Sequence, residues 1–381
     1  MWINYILLAP LEITPRSFIA MRPQLEIFFA GFNIPWEFLM GFIAALAFSI
    51  VFTILVKKIA FRAGAVDKPD AERRLHTAAT PLLGGLAVFA AFFIIVYLAR
   101  GYILAGNLES RHWLGVFIGA CFLMIGGFLD DKYKLKPSRQ FIFPVLAIMS
   151  VLVGGVQIEK ITNPLGGFFY LENFKLVSGG LIAVWLLGMM YTTKLLDGVD
   201  GLVSGITAIG ALIIFLFTMT TRYYQPDIGL AALILAGVCL GFLIFNWHPA
   251  KIFLGEGGSL FLGFILGVLA IISGGKIAIA LLVMGLPIMD VAWTIIRRLA
   301  AGQNPFKFAD RGHLHFRLLD LGLGAKKTVL IFYFFFAVFG LSALFLQSRG
   351  KLAALAVLVV VMLGVVMGFR QKDKIFKFLI L

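Results

Sequence analysis

The stretch WLGVFIGACFLMIGGFLDDKYKLK, Trp113 to Lys136, decides the fold. Its first seventeen residues carry no charge, and its last seven carry two acids and three bases. A helix needs roughly 17 to 25 apolar residues to cross ~30 Å of hydrocarbon, so this stretch reads as a membrane span that ends abruptly at water. Runs of this kind recur along the 381 residues, of which 61% are hydrophobic and only 14% charged. The composition excludes an ordinary soluble domain and indicates an all-α polytopic membrane protein. Eleven spans are expected, over 36–56, 81–99, 113–129, 140–156, 178–196, 202–220, 227–245, 258–274, 276–296, 328–347 and 351–369. Residues 1–35 form an N-terminal arm broken by Pro10, Glu12, Arg16 and Arg22, residues 36–369 the integral membrane domain, and 370–381 a tail. Cys121 and Cys239 both fall inside spans, which argues for packing and against a disulfide framework or thiolate metal site.

Basic residues orient the chain. The segments following the odd-numbered spans hold 22 of the 33 Lys and Arg, and the opposite side holds 10. The positive-inside rule therefore places the N-terminus outside and the C-terminus in the cytoplasm. The formal charge of +14 is then a topological signal that also suits anionic lipid headgroups, not a footprint for nucleic acid.

In that topology Asp130, Asp131, Asp197, Asp200, Glu256 and Asp290 all come to the cytoplasmic face. One acid at a helix end is readily explained as a cap or an ion pair. Several ionisable groups at membrane depth on one side point to function. Two glycine-bearing loops accompany them. LLDGVDGLVSG, Leu195 to Gly205, is too short to leave the headgroup region and exposes backbone N–H groups beside two carboxylates. FNWHPAKIFLGEGGS, Phe245 to Ser259, places Asn246, His248, Lys251 and Glu256 before a Gly-Gly-Ser that opens the next span. A third loop, RRLAAGQNPFKFADRGHLHFRLLDLG, Arg297 to Gly322, gathers Asp310, Arg311, His313, His315 and Arg317. Carboxylates suit a hard divalent cation, and His with Arg suits phosphate oxygens. The chemistry implied is phosphoryl transfer, not zinc chemistry, since the His-x-His pair has no thiolate beside it.

At these residues the sequence resembles the polyprenyl-phosphate N-acetylhexosamine-1-phosphate transferases. RRLHTAATPLLGG (Arg73 to Gly85), DDKYKLK, LLDGVDGL, FNWHPAKIFLGEGGS and DRGHLHFRLLDLG follow the family's motifs in order. The His-Leu-His-Phe pattern of the last loop, in place of a run of consecutive histidines, and the eleven spans look closer to the N-acetylglucosamine-1-phosphate branch than to the phospho-MurNAc-pentapeptide translocase. The resemblance implies a UDP-N-acetylhexosamine donor, a polyprenyl phosphate acceptor, Mg²⁺ with Mn²⁺ as a substitute, and an inner-membrane enzyme starting cell-envelope polysaccharide. A homodimer is among the partners it allows. It implies Glu256 and Asp197 as metal ligands and Asp130 or Asp131 as the group that deprotonates or orients the lipid phosphate. It further implies Gly198, Asp200, Asn246 and Phe253 at the uridine, and His76, Lys194, Asp310, Arg311, His313, His315 and Arg317 at the diphosphate or sugar.

Three positions depart from the family pattern: Lys194 stands for Asn, Glu256 for Asp, and Phe316 for the last His of the loop. Lys194 lies one helical turn before Asp197 and is expected to pair with it. The competing class is a cation- or proton-coupled transporter. Its sites usually lie at the bilayer midplane on broken helices within internal repeats; no repeat is visible here, and the acids lie at one surface.

Overall fold

The computed structural model describes residues 34–67, 79–106, 108–163, 167–220, 224–273, 277–300, 302, 312–346 and 350–364. The expected arm and tail lie almost wholly outside these residues. Helices occupy the described part of each of the eleven apolar stretches: α1 (Trp36–Arg62), α2 (Gly84–Leu98), α3 (Ser110–Tyr133), α4 (Ile142–Val153), α5 (Lys175–Leu196), α6 (Leu202–Thr218), α7 (Pro226–Asn246), α8 (Gly255–Ile272), α9 (Ile277–Ala300), then the short α10 (Leu314–Asp320), α11 (Gly324–Phe345) and α12 (Gly350–Gly364). Among the described residues six helices, α1, α3, α5, α7, α8 and α11, are long and apolar enough to cross a membrane, while α2, α4, α6 and α12 are shorter apolar helices. The chain is a polytopic all-α membrane protein.

The helices form a bundle around α7 and α8, whose residues are buried on nearly every face. By contrast α1 exposes Leu39, Met40, Ile43, Val51, Leu55 and Ile59. Hydrocarbon imposes that distribution, because the outer surface of a membrane bundle is as apolar as its core and only small residues let backbones approach. The abundant phenylalanines divide the same way. Phe89, Phe92, Phe93, Phe117 and Phe261 interlock between α2, α3 and α8 with ring centroids 5.0 to 6.2 Å apart.

Several expected boundaries shift. The stretch 140–156 begins as a separate turn, Pro137–Gln140, and its helix ends at Val153 before Gly154 and Gly155, the latter at φ 93°. The helix expected from 258 starts at Gly255, so Glu256 belongs to the first turn of α8 and not to the loop before it. Two small antiparallel pairs, Val66–Asp67 with Thr80–Pro81 and Lys160–Thr162 with Phe168–Tyr170, join the helices. Neither carries an apolar period long enough to be read from sequence.

Candidate active site

Three helix ends and two turns build the site. The last turn of α3 supplies Asp130 and Asp131, the last turn of α5 supplies Lys194 with Asp197 as its cap, and the first turn of α8 supplies Glu256. Glycine allows these ends to meet. Gly255 has φ 76°, and a methyl there would lie 2.1 Å from the Leu82 carbonyl oxygen and 2.8 Å from Asp131 Oδ2. A methyl on Gly127 would lie 2.1 Å from the Gly257 nitrogen, and one on Gly85 2.4 Å from Gly258 Cα. The backbones of α2, α3 and α8 therefore touch directly, and α8 is pressed against the end of α3.

That contact brings the Asp131 carboxylate to the Glu256 backbone N–H, which it accepts at 3.3 Å. First-turn N–H groups have no partner within their own helix, and the helix dipole favours an anion there. Asp130, the adjacent acid, does something else. Lys134, at φ 50° the one non-glycine residue in the left-handed region among the described residues, ends α3. The Leu135 N–H then turns back to donate to Asp130 Oδ1 at 2.8 Å.

Lys194 pairs with Glu256, not with Asp197 as the one-turn spacing led us to expect. Asp197, the cap of α5, still donates its N–H back to the Thr193 carbonyl at 3.1 Å, so the helical spacing is kept and the ammonium turns to the neighbouring helix instead. The ammonium also donates to Gln140 Oε1 at 3.1 Å, and Gln140 Nε2 donates to Asp130 Oδ1 at 2.8 Å. A continuous chain results, running Asp131, Glu256, Lys194, Gln140, Asp130. Burial, reinforced by the nearby Glu256, Asp131 and Asp200 carboxylates, raises the Asp197 pKa well above the usual carboxylate range.

The Asp-Gly turn and the loop before α8 are stapled to each other. Asp200 Oδ2 contacts His248 Nδ1 at 2.7 Å and accepts the Ala250 N–H at 3.0 Å. Asn246, 4% exposed, accepts from the Gly201 N–H and from Ser204 Oγ and donates to the Ile252 carbonyl. Both side chains, expected at the uridine, hold protein backbone in this structure. Phe253 anchors through its backbone, donating to Pro81 O at 2.8 Å and accepting from Gly84 N–H at 3.0 Å.

The histidine loop closes the other side. His313 Nδ1 contacts Asp290 Oδ2 at 2.8 Å, and the Leu314 N–H donates to Asp290 Oδ1 at 3.0 Å. Asp290 thus serves the loop and not the acidic cluster. The His313 and His315 rings stack with centroids 5.7 Å apart. His315 is fully buried, both its ring nitrogens lack a hydrogen-bond partner among the described residues, and burial, with His313 adding to it, lowers its pKa to about 3. Its Nε2 would lie 3.2 Å from a methyl on Gly198, and Phe316 Cζ 2.7 Å, so that glycine leaves space for both rings. Arg317 Nε donates to the Gly312 carbonyl at 3.0 Å. His76, Asp310 and Arg311 lie outside the described residues. Gln140 was missed entirely, since a lone uncharged polar residue ten positions past an acid carries no sequence signal.

Whether this centre suits a divalent cation can be tested on its donors. Among the described residues no three His, Cys, Asp or Glu side chains gather about one point. Burial first, and then the charges of Glu256, Asp131 and Asp200, suppress ionisation of Asp197, while Glu256 is paired with Lys194. Hard carboxylate oxygens fit Mg²⁺ in kind.

The profile of glycosyl transferase family 4 matches residues 113–274, a segment that contains Asp130, Asp131, Gln140, Lys194, Asp197, Asp200, Asn246 and Glu256 but not the histidine loop. A probable undecaprenyl-phosphate N-acetylglucosaminyl 1-phosphate transferase of Bacillus subtilis (strain 168) is 32% identical over 317 residues, covering 81% of this chain and 85% of that protein. A decaprenyl-phosphate N-acetylglucosaminephosphotransferase of Mycobacterium tuberculosis is 30% identical over 341 residues, covering 80% and 82%. An undecaprenyl-phosphate alpha-N-acetylglucosaminyl 1-phosphate transferase of Yersinia pestis is 27% identical over 298 residues, covering 74% and 77%. The likeness extends from the acidic centre across most of the length of each relative, and on that extent the chain belongs to glycosyl transferase family 4.

Proposed function

We propose that the protein transfers N-acetylglucosamine-1-phosphate from a UDP-sugar to a polyprenyl phosphate. One observation carries the reading: Asp131, Glu256 and Lys194, from three separate helices, are linked in one chain of contacts, with the charges of Asp131 and Glu256 acting on Asp197 at the turn that His315 covers. The named activities of the relatives supply the substrates, and they do not favour the pentapeptide translocase or a transporter.

In the proposed reaction an oxygen of the lipid phosphate attacks the β-phosphorus of the donor. The new P–O bond forms as the bond from that phosphorus to the bridging oxygen breaks, and UMP leaves with the bridging oxygen. Asp131 orients the acceptor phosphate or takes its proton. The Lys194 ammonium neutralises diphosphate oxygens at the rim of the cluster, and His315, held neutral by burial, keeps positive charge off the turn. Glu256 and Asp197 would hold Mg²⁺, which when bound offsets charge on the diphosphate. Asp200 and Asn246 act by fixing the turn on which the donor rests.

The same reading places eleven spans in a plasma or inner membrane, with the N-terminus outside and the acids toward the nucleotide-sugar pool. Purified protein in detergent, given a polyprenyl phosphate and a panel of UDP-sugars, tests the chemistry. UMP release greatest with UDP-N-acetylglucosamine is expected, and absence of release with every sugar would end the proposal. In a background lacking Cys121 and Cys239, a cysteine at Gly302 should be labelled only from the cytoplasm and one at Ala105 only from outside; reversed labelling would detach the site from its donor.

A further inference from the structure

We propose that Gln140 is a positioning residue for transfer, holding the Lys194 ammonium at the acidic centre. This rests on the functional reading above. Gln140 follows Asp131 by nine residues and lies in the short turn before α4. Its amide is used at both ends: Nε2 donates to Asp130 Oδ1 at 2.8 Å and to the Leu135 carbonyl at 3.0 Å, and Oε1 accepts from Lys194 Nζ at 3.1 Å. The first two bonds fix the amide to the end of α3. The third fixes the ammonium, which also pairs with Glu256 and lies 5.6 Å over the Tyr191 ring.

The chemistry of the linker is specific. The group between Asp130 and Lys194 must donate to a carboxylate at one end and accept from an ammonium at the other. A carboxylate there would repel Asp130, an ammonium would repel Lys194, and a neutral amide satisfies both. Lys194 needs such a tether because its stem is flexible and its head is a compact point charge. Only a charge already in place stabilises a transition state without reorganising. Gln140 touches neither substrate nor metal in this scheme; it acts through Lys194.

The experiment measures kcat and both KM values for UMP release in detergent, with the thermal midpoint as a control for folding. Gln140→Met should lower kcat about 10- to 100-fold, the range of one hydrogen bond to a charged group. Both KM values should stay within about threefold, which separates positioning from substrate binding. Lys194→Asn should lower kcat at least as far, and adding Gln140→Met to it should cost no more than about threefold further, because the group acted upon is gone. Gln140→Glu, which still offers Lys194 an acceptor, should recover at least about fivefold over Gln140→Met. If Gln140→Met does not fold, Gln140→Asn, one methylene too short, takes its place in the same cycle. Losses that multiply in the double variant, a loss confined to KM for the lipid, or equal damage from Glu and Met would each overturn the proposal. A wild-type protein that releases no UMP would overturn the functional reading and this proposal together, and is recognised before any variant is made.

Discussion

The Asp131 carboxylate accepts the backbone N–H of Glu256 at 3.3 Å, across 125 residues of sequence. Its neighbour Asp130 is spent on the Leu135 N–H and the Gln140 amide. The adjacent acids therefore have different work. Asp131→Asn keeps an oxygen for the Glu256 N–H but removes the charge, and should lower turnover by about 10³-fold or more while UDP-sugar binding persists. Asp130→Asn keeps an acceptor for both of its partners and should cost less than about tenfold. Turnover and donor binding measured on both proteins check this; the reverse order would reassign the acid.

Asp197 sets function against stability. Burial first, then Glu256, Asp131 and Asp200, raises its pKa well above the usual range. The native state thus retains a proton that the unfolded chain releases near pH 3.9, and stability falls as pH rises from there through the folded pKa. Asparagine mimics the protonated form. In EDTA at about pH 7.5, Asp197→Asn should raise the thermal midpoint and flatten its decline with pH, while turnover drops to background. A midpoint at or below that of the wild type would show that the carboxyl is not strained.

In the proposed scheme Lys194, paired with Glu256, and a divalent cation would call on the same carboxylate. Removing the ammonium frees that oxygen, so Lys194→Asn should lower the Mg²⁺ concentration for half-maximal turnover by about tenfold, even as the maximal rate falls. Mn²⁺ binding to the protein without substrates, followed by electron paramagnetic resonance, should tighten in parallel. An unchanged midpoint together with a large rate loss would mean that lysine replaces cation chemistry and does not compete with it.

His315 makes acid the vulnerable side of the pH scale. Its pKa is about 3 when folded, against 6.5 for the ordinary side chain. The unfolded chain gains a proton below about 6.5 that the native state refuses, so stability is fully present above that pH and is lost progressively as pH falls toward 3. Between pH 6.5 and about 5 this amounts to about 2 kcal/mol. The thermal midpoint of His315→Phe should decline less over that interval than the wild-type midpoint; equal slopes would place the sensitivity elsewhere.

Much of this arrangement was legible because hydrocarbon writes a coarse, long-range signal. Uncharged runs marked the long apolar helices, but not short ones such as Leu314–Asp320 and Pro137–Gln140, and the expected alternation of sides grouped Asp131, Asp197 and Glu256. What could not be read was pairing within the cluster. Lys194 and Asp197 are spaced as helical neighbours, yet the ammonium's partner comes from α8. Asp290 shares the side of the other acids but turns to His313. Such choices depend on which backbone a glycine lets in, which has no periodic signature.

The contact of Gly127 with Gly257 and of Gly85 with Gly258 also limits how this centre can be altered. Where side chains meet, shape can change a methylene at a time; where backbones meet, the smallest available step is already a collision. Selection or design therefore has no gradual route through the crossing itself. Variation of the centre is channelled onto the side chains set around the crossing, the reach of Glu256, the charge at Lys194 and the ring at Phe316, three positions that can be exchanged while the frame beside them stays still.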